Sequence, residues 1–312
     1  MNRSFLGGRL LQIVIVLFGV SLITFALTYL SSGDPAVSSF TSQGISPTRT
    51  QVAERRRDMG LDRPFAEQYG KWLAGICRGD FGTSYSRNEP VTAVLLSRLM
   101  PTLGLTLLAL VFMLAIAIPE GTYAAVHEHG WPDHLLRGIT FLGISIPNFW
   151  FGMILMFVLG LKLHLLPILS SSAGFSSMIM PALTLAFAMS AKYARQVRTA
   201  VLEELGQDYI VGARARGLSE RQILWRHVLP NAMLPLVTML GLSLGSLLGG
   251  TAVVEVLFAY PGLGNLAVEA IENYDYPLVQ GYVLWIALIY MVINFVVDMT
   301  YHRLDPRVRL RG

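Results

Sequence analysis

Few residues in this chain have the types and spacing that chemistry requires. His127, Glu128, His129 and His134 lie close together, but the spacing is not the His-Glu-x-x-His that sets two imidazoles on one helix face, and the group falls in a turn beside an apolar run. No metal site is expected there. Asp298 is the one clear carboxylate inside an apolar run, without a second catalytic group at matching depth, and pairing with Arg303 or a neighbouring helix is expected. Glu255 closes another run and is followed by Glu269, Glu272 and Asp275, an acidic outer surface that reads either as a solvated face or as a mouth receiving a cation or a docking protein. Cys77 is the only cysteine, so neither an intrachain disulfide nor a cysteine metal cluster is possible. No Gly-x4-Gly-Lys-Ser/Thr loop occurs, and Gly262-Leu-Gly264 follows no strand, so work from a nucleotide would have to come from a partner. No catalytic residue and no cofactor are expected.

The elements that position these residues are membrane spans. The chain is 53% apolar and 14% charged, against roughly 25% charged residues in soluble domains. Five apolar runs approach the ~20 residues that cross a hydrocarbon core: 10–30, 102–125, 139–161, 233–256 and 279–300. A shorter sixth, 178–191, continues into polar sequence. The expectation is an all-α polytopic membrane protein with six transmembrane helices. The first run is too long for a signal peptide and lacks an Ala-x-Ala-like site, so it is read as retained, with the N-terminus in the cytoplasm. Arg137, the stretch Arg195 to Arg226 and the tail Arg303, Arg307, Arg309 and Arg311 then fall inside, while 165–177 and 257–279 carry no Lys or Arg. The first loop carries Arg55, Arg56 and Arg57, but long loops cross largely regardless of charge. The division expected is 1–30, a first span; 31–99, an extracytoplasmic cap with short helices at 52–59 and 65–76; and 100–312, a core with a cytoplasmic loop at 199–231.

Two breaks in the apolar pattern matter. Pro147, followed by Asn148, interrupts the third span and reads as a kink or as a break lining a pathway. Gly241, Gly245 and Gly249 recur every four residues, a smooth face suited to a second membrane subunit.

The polar segment from Leu205 to Asn231 lies between two spans. Leu205, Tyr209 and Ala213 make a narrow apolar stripe, and Gly217 is a natural helix stop. Ser219 and Gln222 form a capping box for a second helix whose face is Ile223, Leu224, His227 and Val228, with Pro230 as its end. The arginines suggest a helix-turn-helix, but tethering between spans leaves no room to enter a nucleic-acid groove. Docking into a groove on a cytoplasmic protein fits better.

Gly212-Ala-Arg-Ala-Arg-Gly-Leu-Ser219, continuing through Trp225-Arg-His-Val-Leu-Pro-Asn-Ala232, resembles the coupling loop of membrane subunits of ATP-binding-cassette importers. The general Glu-Ala-Ala triplet appears here as Val211-Gly212-Ala213, a departure usual in the peptide and nickel branch. Gly33-Asp-Pro35, Met59-Gly-Leu-Asp62, Gly79-Asp-Phe-Gly-Thr-Ser84, Ser145-Ile-Pro-Asn-Phe-Trp150, Tyr260-Pro-Gly-Leu-Gly264, Asp275-Tyr-Pro-Leu-Val-Gln-Gly281 and Asp305-Pro-Arg-Val-Arg309 extend the similarity over nearly the whole chain. The resemblance implies a type I importer permease in the bacterial inner membrane. It would work with a homologous second permease subunit, two ATPase subunits and an extracytoplasmic substrate-binding protein. It further implies that Asp208, Tyr209, Ala213, Arg214, Arg216, Gly217 and Leu218 couple to the ATPase. Pro147 and Asn148 at the break, Glu255 at the acidic mouth and Asp298 inside a span are, from the residues themselves, the candidates for the pathway or outer gate. The short loop 165–177 leans the expected substrate toward nickel or a metal chelate, with di- or oligopeptides as the alternative.

Overall fold

The computed structural model of the chain describes residues 3–31, 33–41, 44–170 and 174–304. The described residues are helical apart from turns and one isolated bridge between Thr83 and Pro90. In order the helices are α1 (Arg3–Leu30), α2 (Pro35–Thr41), α3 (Arg49–Asp58), α4 (Phe65–Cys77), α5 (Val91–Val126), α6 (Trp131–Ser145), α7 (Asn148–Leu155), α8 (Phe175–Leu205), α9 (Asp208–Ala215), α10 (Glu220–Ile223), α11 (Leu229–Leu257), α12 (Leu263–Glu272) and α13 (Tyr276–Leu304). Two π-helical stretches, Met156–Lys162 and Leu224–Val228, continue α7 and α10.

By length and composition, four helices among the described residues can cross a membrane: Gly7–Leu30 of α1, α5, α8 and Tyr276–Val297 of α13. The pair α6 and α7, bent by 100°, adds a fifth if it is one broken span. The run at 233–256 lies in α11, several of whose side chains fall outside those described. The sequence-derived boundaries shift in two places. α5 begins at Val91 and runs through Pro101, so the first loop ends earlier than 99. The doubtful run at 178–191 is the middle of the 31-residue α8, which carries Pro181 and continues into the polar stretch.

The chain divides into two compact units. The first comprises residues 1–102 and 261–292. In it α1 leaves Leu11, Val14, Ile15, Phe18, Ile23 and Leu27 exposed, as a lipid-facing helix does, and buries Ser21, Thr24 and Thr28. α4 packs on α1 through aromatic rings, with Phe25 5.5 Å from Phe65, 5.4 Å from Tyr69 and 5.3 Å from Trp72. α3 starts at a capping box, Thr48 with Gln51. Val91 and Leu95 of α5 bury with Leu263, Leu266 and Leu278. Gly281 permits that approach, since a Cβ there would lie 2.6 Å from Val91 Cγ1.

The second unit comprises residues 103–260 and 293–312. Its core joins Met113 and Ala117 of α5, Tyr193, Val197 and Val201 of α8, and Ile210, Ala213, Ile223 and Val228 of the polar segment. Tyr193, fully buried, donates its hydroxyl to Ser243 Oγ at 2.6 Å. The helices approach closely at Gly121, where a Cβ would stand 2.4 Å from the Ala194 carbonyl oxygen. Gly241 and Gly245, expected to face a second subunit, are buried, and a Cβ at Gly241 would fall inside Val297. Only Gly249 of the three is exposed, with open space around it.

Candidate functional site

The polar segment is a rigid bracket. α8 ends at Leu205, and Gln207 starts α9, whose first-turn Asp208 suits the positive end of the helix dipole. α9 turns Ile210 and Ala213 inward, at 0% and 1% exposure, and leaves Tyr209 and Val211 outward. The buried stripe is therefore Ile210 and Ala213, not the Tyr209 line expected from spacing. Tyr209 instead ties the bracket together: its hydroxyl donates to Glu204 Oε2 at 2.6 Å and accepts from Asn231 Nδ2 at 3.1 Å. Partial burial and the Glu204 carboxylate push that hydroxyl's pKa up, so it stays protonated.

Gly217 has φ +80°, the left-handed conformation that ends α9 and that side-chain-bearing residues adopt only under strain. Leu218 follows, partly buried against the core. Ser219 and Gln222 form the expected capping box for α10. Arg214 reaches across the bend to Glu220, Nε to Oε1 at 2.7 Å and Nη2 to Oε2 at 3.1 Å, which holds the Glu220 carboxyl below its ordinary range. Pro230 does not end the second helix. The π stretch Leu224–Val228 brings in an i→i+5 bond, Leu229 N to Leu224 O, and Pro230 falls in the first turn of α11, where its missing N–H costs nothing. The outward surface presents Val211 at 61% and Trp225 at 63% exposure, with Arg214, Arg216, Arg221 and Arg226 also exposed. Two apolar anchors within a basic field form a surface that an acidic-rimmed groove would accept.

A residue that spacing did not single out fixes this bracket's base. Asp133, fully buried, accepts Arg198 Nε at 2.6 Å and Nη2 at 2.8 Å, Arg137 Nε at 3.3 Å and Nη2 at 3.0 Å, and the His129 amide at 3.2 Å. It locks the start of α6 to α8, seven residues before α8 ends. The only local signal was Asp133 four residues before Arg137; Arg198 lies 65 residues away. His127, Glu128, His129 and His134 form no cluster able to hold a metal among the described residues.

The four outer acids are not one solvated face. Glu255 is fully buried within its own unit. Glu269 forms a bidentate pair with Arg87, both oxygens at 2.8 Å from Nη2. Asp275, fully buried, accepts Ser84 Oγ at 2.5 Å, Ser86 Oγ at 2.7 Å and the Ser86 amide at 3.0 Å. Glu269, although paired, and Glu272 are both exposed. The motifs around Ser84 and Asp275 thus meet in space, and Tyr276 adds a third by donating to the Gly33 carbonyl at 2.9 Å. Pro147 and Asn148 stand at the sharp break between α6 and α7. Asp298 lies on α13, and its side chain is outside those described, as is that of Arg303.

Residues 117–310 match the family described as binding-protein-dependent transport system inner membrane component, and residues 1–106 match that family's N-terminal component. The chain belongs to this family. Over 303 residues it is 39% identical to the glutathione transport system permease protein GsiC of Escherichia coli K12, covering 97% of this chain and 98% of that one. The same protein from Salmonella paratyphi A is 37% identical over the same length. Two inward-facing structures of the MetNI methionine ABC transporter superpose with TM-scores of 0.57 and 0.58, at 22% and 20% identity, over 68% and 69% of this chain and 96% and 97% of theirs. At that identity they establish the fold alone. This permease is therefore a membrane-spanning subunit of an ATP-binding-cassette importer, a class in which separate ATPase subunits hydrolyse ATP.

Proposed function

We propose that this permease forms half of a pathway for short peptides of the glutathione kind, driven through the segment from Asp208 to Leu218. The observation that carries the substrate reading is the similarity to glutathione permeases over 97% of the chain. Nickel or a metal chelate, toward which the short loop 165–177 leans, has no support in those relatives. The coupling reading is supported by a bracket buried on one side at Ile210, Ala213, Ile223 and Val228 and open on the other at Val211 and Trp225.

In this reading the chain has six spans, with α11 and the broken pair α6 and α7 among them. Both termini and the bracket face the cytoplasm. The stretch from residue 31 to the start of α5 at Val91 forms the outer cap, and the chain from α5 onward the core. The homologous second permease, two ATPases and an extracytoplasmic binding protein complete the assembly. The groups assigned to the pathway or outer gate are Pro147 and Asn148 at the break, with the carboxylates Glu255 and Asp298.

The test is uptake by the complete importer in proteoliposomes. ATP-dependent accumulation of glutathione or of di- and tripeptides, with no accumulation of nickel, is the expected result. Transport of nickel or its chelates in preference to peptides would overturn the substrate assignment.

A further inference from the structure

Within the first unit, the last turns of α1 border a cavity of about 640 Å³ together with the ends of α3 and α4. That size lies within the range of small-molecule sites. One part of its lining is aromatic, Phe25, Tyr29 and Trp72; another carries Arg56, Arg57, Arg63 and Lys71. Three of the four cations are already matched: Arg56 to Asp34 at 3.2 Å, Lys71 to Glu67 at 3.3 Å, and Arg63 to the same Glu67. Asp58 is the one acid in the lining. Four cations thus stand beside three carboxylates, two of them outside the lining, and the exposed guanidinium of Arg57 has no acceptor among the described residues.

The helix dipole does not account for this surplus. The end of α3 offers about half a negative charge, whereas Arg55, Arg56 and Arg57 all occupy its last turn. A second mismatch adjoins the first. The Trp72 indole N–H is buried without an acceptor, a state that buried donors seldom hold, and a turn of the ring would bring it to a ligand in the cavity. Tyr85 also lines the cavity, and burial pushes its pKa up to about 12, so it offers a neutral hydroxyl. Unspent positive charge and unspent donors together call for an anion rich in acceptor oxygens, as a phosphate is.

Position decides where such a phosphate comes from. Phe25 and Tyr29 belong to the same helix that exposes Ile23, Leu27 and Leu30, so the cavity stands at the end of a lipid-facing surface. Aromatic rings are favoured at both membrane interfaces, and guanidinium groups beside them offer a phosphate headgroup charge-assisted hydrogen bonds. We infer that this cavity binds the phosphate of an acidic phospholipid, with its acyl chains lying along the exposed face of α1.

The experiment uses the full chain in its native assembly, carried in nanodiscs containing phosphatidylglycerol or phosphatidylcholine, with retained lipid counted by native mass spectrometry. Phosphatidylglycerol should be retained in preference. Arg57→Gln should lower its retention about fivefold, the factor matching about 1 kcal/mol per basic side chain at an anionic surface. Trp72→Phe should lower it as well, and Arg78→Gln, on an exposed residue outside the cavity lining, should leave it unchanged. Equal retention of the two lipids, or wild-type retention in Arg57→Gln, would overturn the inference. A third arm adds inorganic phosphate at millimolar concentration: failure to displace the lipid supports a headgroup site, and displacement makes it a free-anion site and overturns the lipid assignment.

Discussion

Asp133→Asn removes the charge at the base of the bracket while keeping the shape of the side chain. Asp133 is 0% exposed and the Arg198 side chain 15%, so the substitution leaves a guanidinium nearly out of water facing an amide that can accept only at its one oxygen. Breaking a buried pair from one side costs about 3–5 kcal/mol, because the remaining charge is uncompensated. Two features lower the figure. Arg137 is 54% exposed and recovers water, so its share is that of a surface pair, about 0–1 kcal/mol. Glu128 already stands 3.7 Å from Arg198 and can take part of its charge. The expected loss is therefore near the lower bound, about 3 kcal/mol. For a domain of the size of the second unit this corresponds to a fall of about 6–12 °C in Tm. The assay is thermal unfolding in detergent at one scan rate, comparing wild type, Asp133→Asn, Arg198→Met and the double variant Asp133→Leu with Arg198→Met. The double variant, which buries no unpaired charge, should recover most of the loss. A fall of less than about 2 °C in Asp133→Asn, below what 1 kcal/mol gives, would refute the reasoning; so would a double variant no more stable than the single ones.

Gly217→Val places a β-branched residue at φ +80° where no neighbouring atom lies within 4 Å, so the cost is conformational, about 1–2 kcal/mol or somewhat more for branching. The bend rather than the core should give way, and uptake should fall while membrane insertion and basal ATP hydrolysis by the assembled importer persist; unchanged substrate-stimulated hydrolysis and uptake would count against the bend. Gly121→Val drives a side chain into the Ala194 carbonyl and Val197, and overpacking of about 1–3 kcal/mol or more should appear as a lowered Tm and a lowered yield of assembled complex. Glu220 is held below its ordinary pKa by Arg214, so its contribution is present above the usual carboxylate range and is lost as pH falls through the depressed value. The difference in Tm between wild type and Glu220→Gln should therefore be small, as for any exposed pair, and should vanish on acidification; a difference that persists at the lowest pH would show that the pair is not its source.

What the sequence made legible was local. The capping boxes at Thr48 and Ser219 were written in a few adjacent residues, as was the stop at Gly217, and α3 and α4 formed close to where they were expected. What it concealed depended on partners far along the chain. Glu269 and Asp275 looked like a solvated acidic face because Arg87 lies 182 residues away and Ser84 191. Asp133 drew no reading because Arg198 is supplied by another helix, 65 residues away. Proline misled at Pro230 for a different reason. A missing N–H ends a helix only where the i→i−4 bond is needed, and Pro230 follows a π turn that has already shifted the ladder. At Pro147, where no such adjustment occurs, the expected break is present.

The failure of Pro230 to interrupt the chain bears on how the bracket would work. Had the helix ended there, α9 and α10 would hang from α8 alone, and a load applied to Val211 or Trp225 would be absorbed in a loop. Instead the path from Glu220 to Leu257 is helical throughout, and Asn231 at its start is bonded through Tyr209 to Glu204 at the end of α8. The bracket is thus fixed at both ends, to α8 directly and to α11 through the π stretch, with Ile210 and Ala213 seated on the core between them. Displacement of α9 by a partner must then move α8 and α11 together or unseat those buried side chains. Unseating two apolar residues costs a few kcal/mol, less than ATP hydrolysis provides, so the anchoring is strong enough to transmit motion only while both ends hold. The Asp133 and Arg198 lock supplies that condition on the α8 side. On the α11 side it is supplied by Val228 and Ile223, which are as fully buried as any residue in the unit.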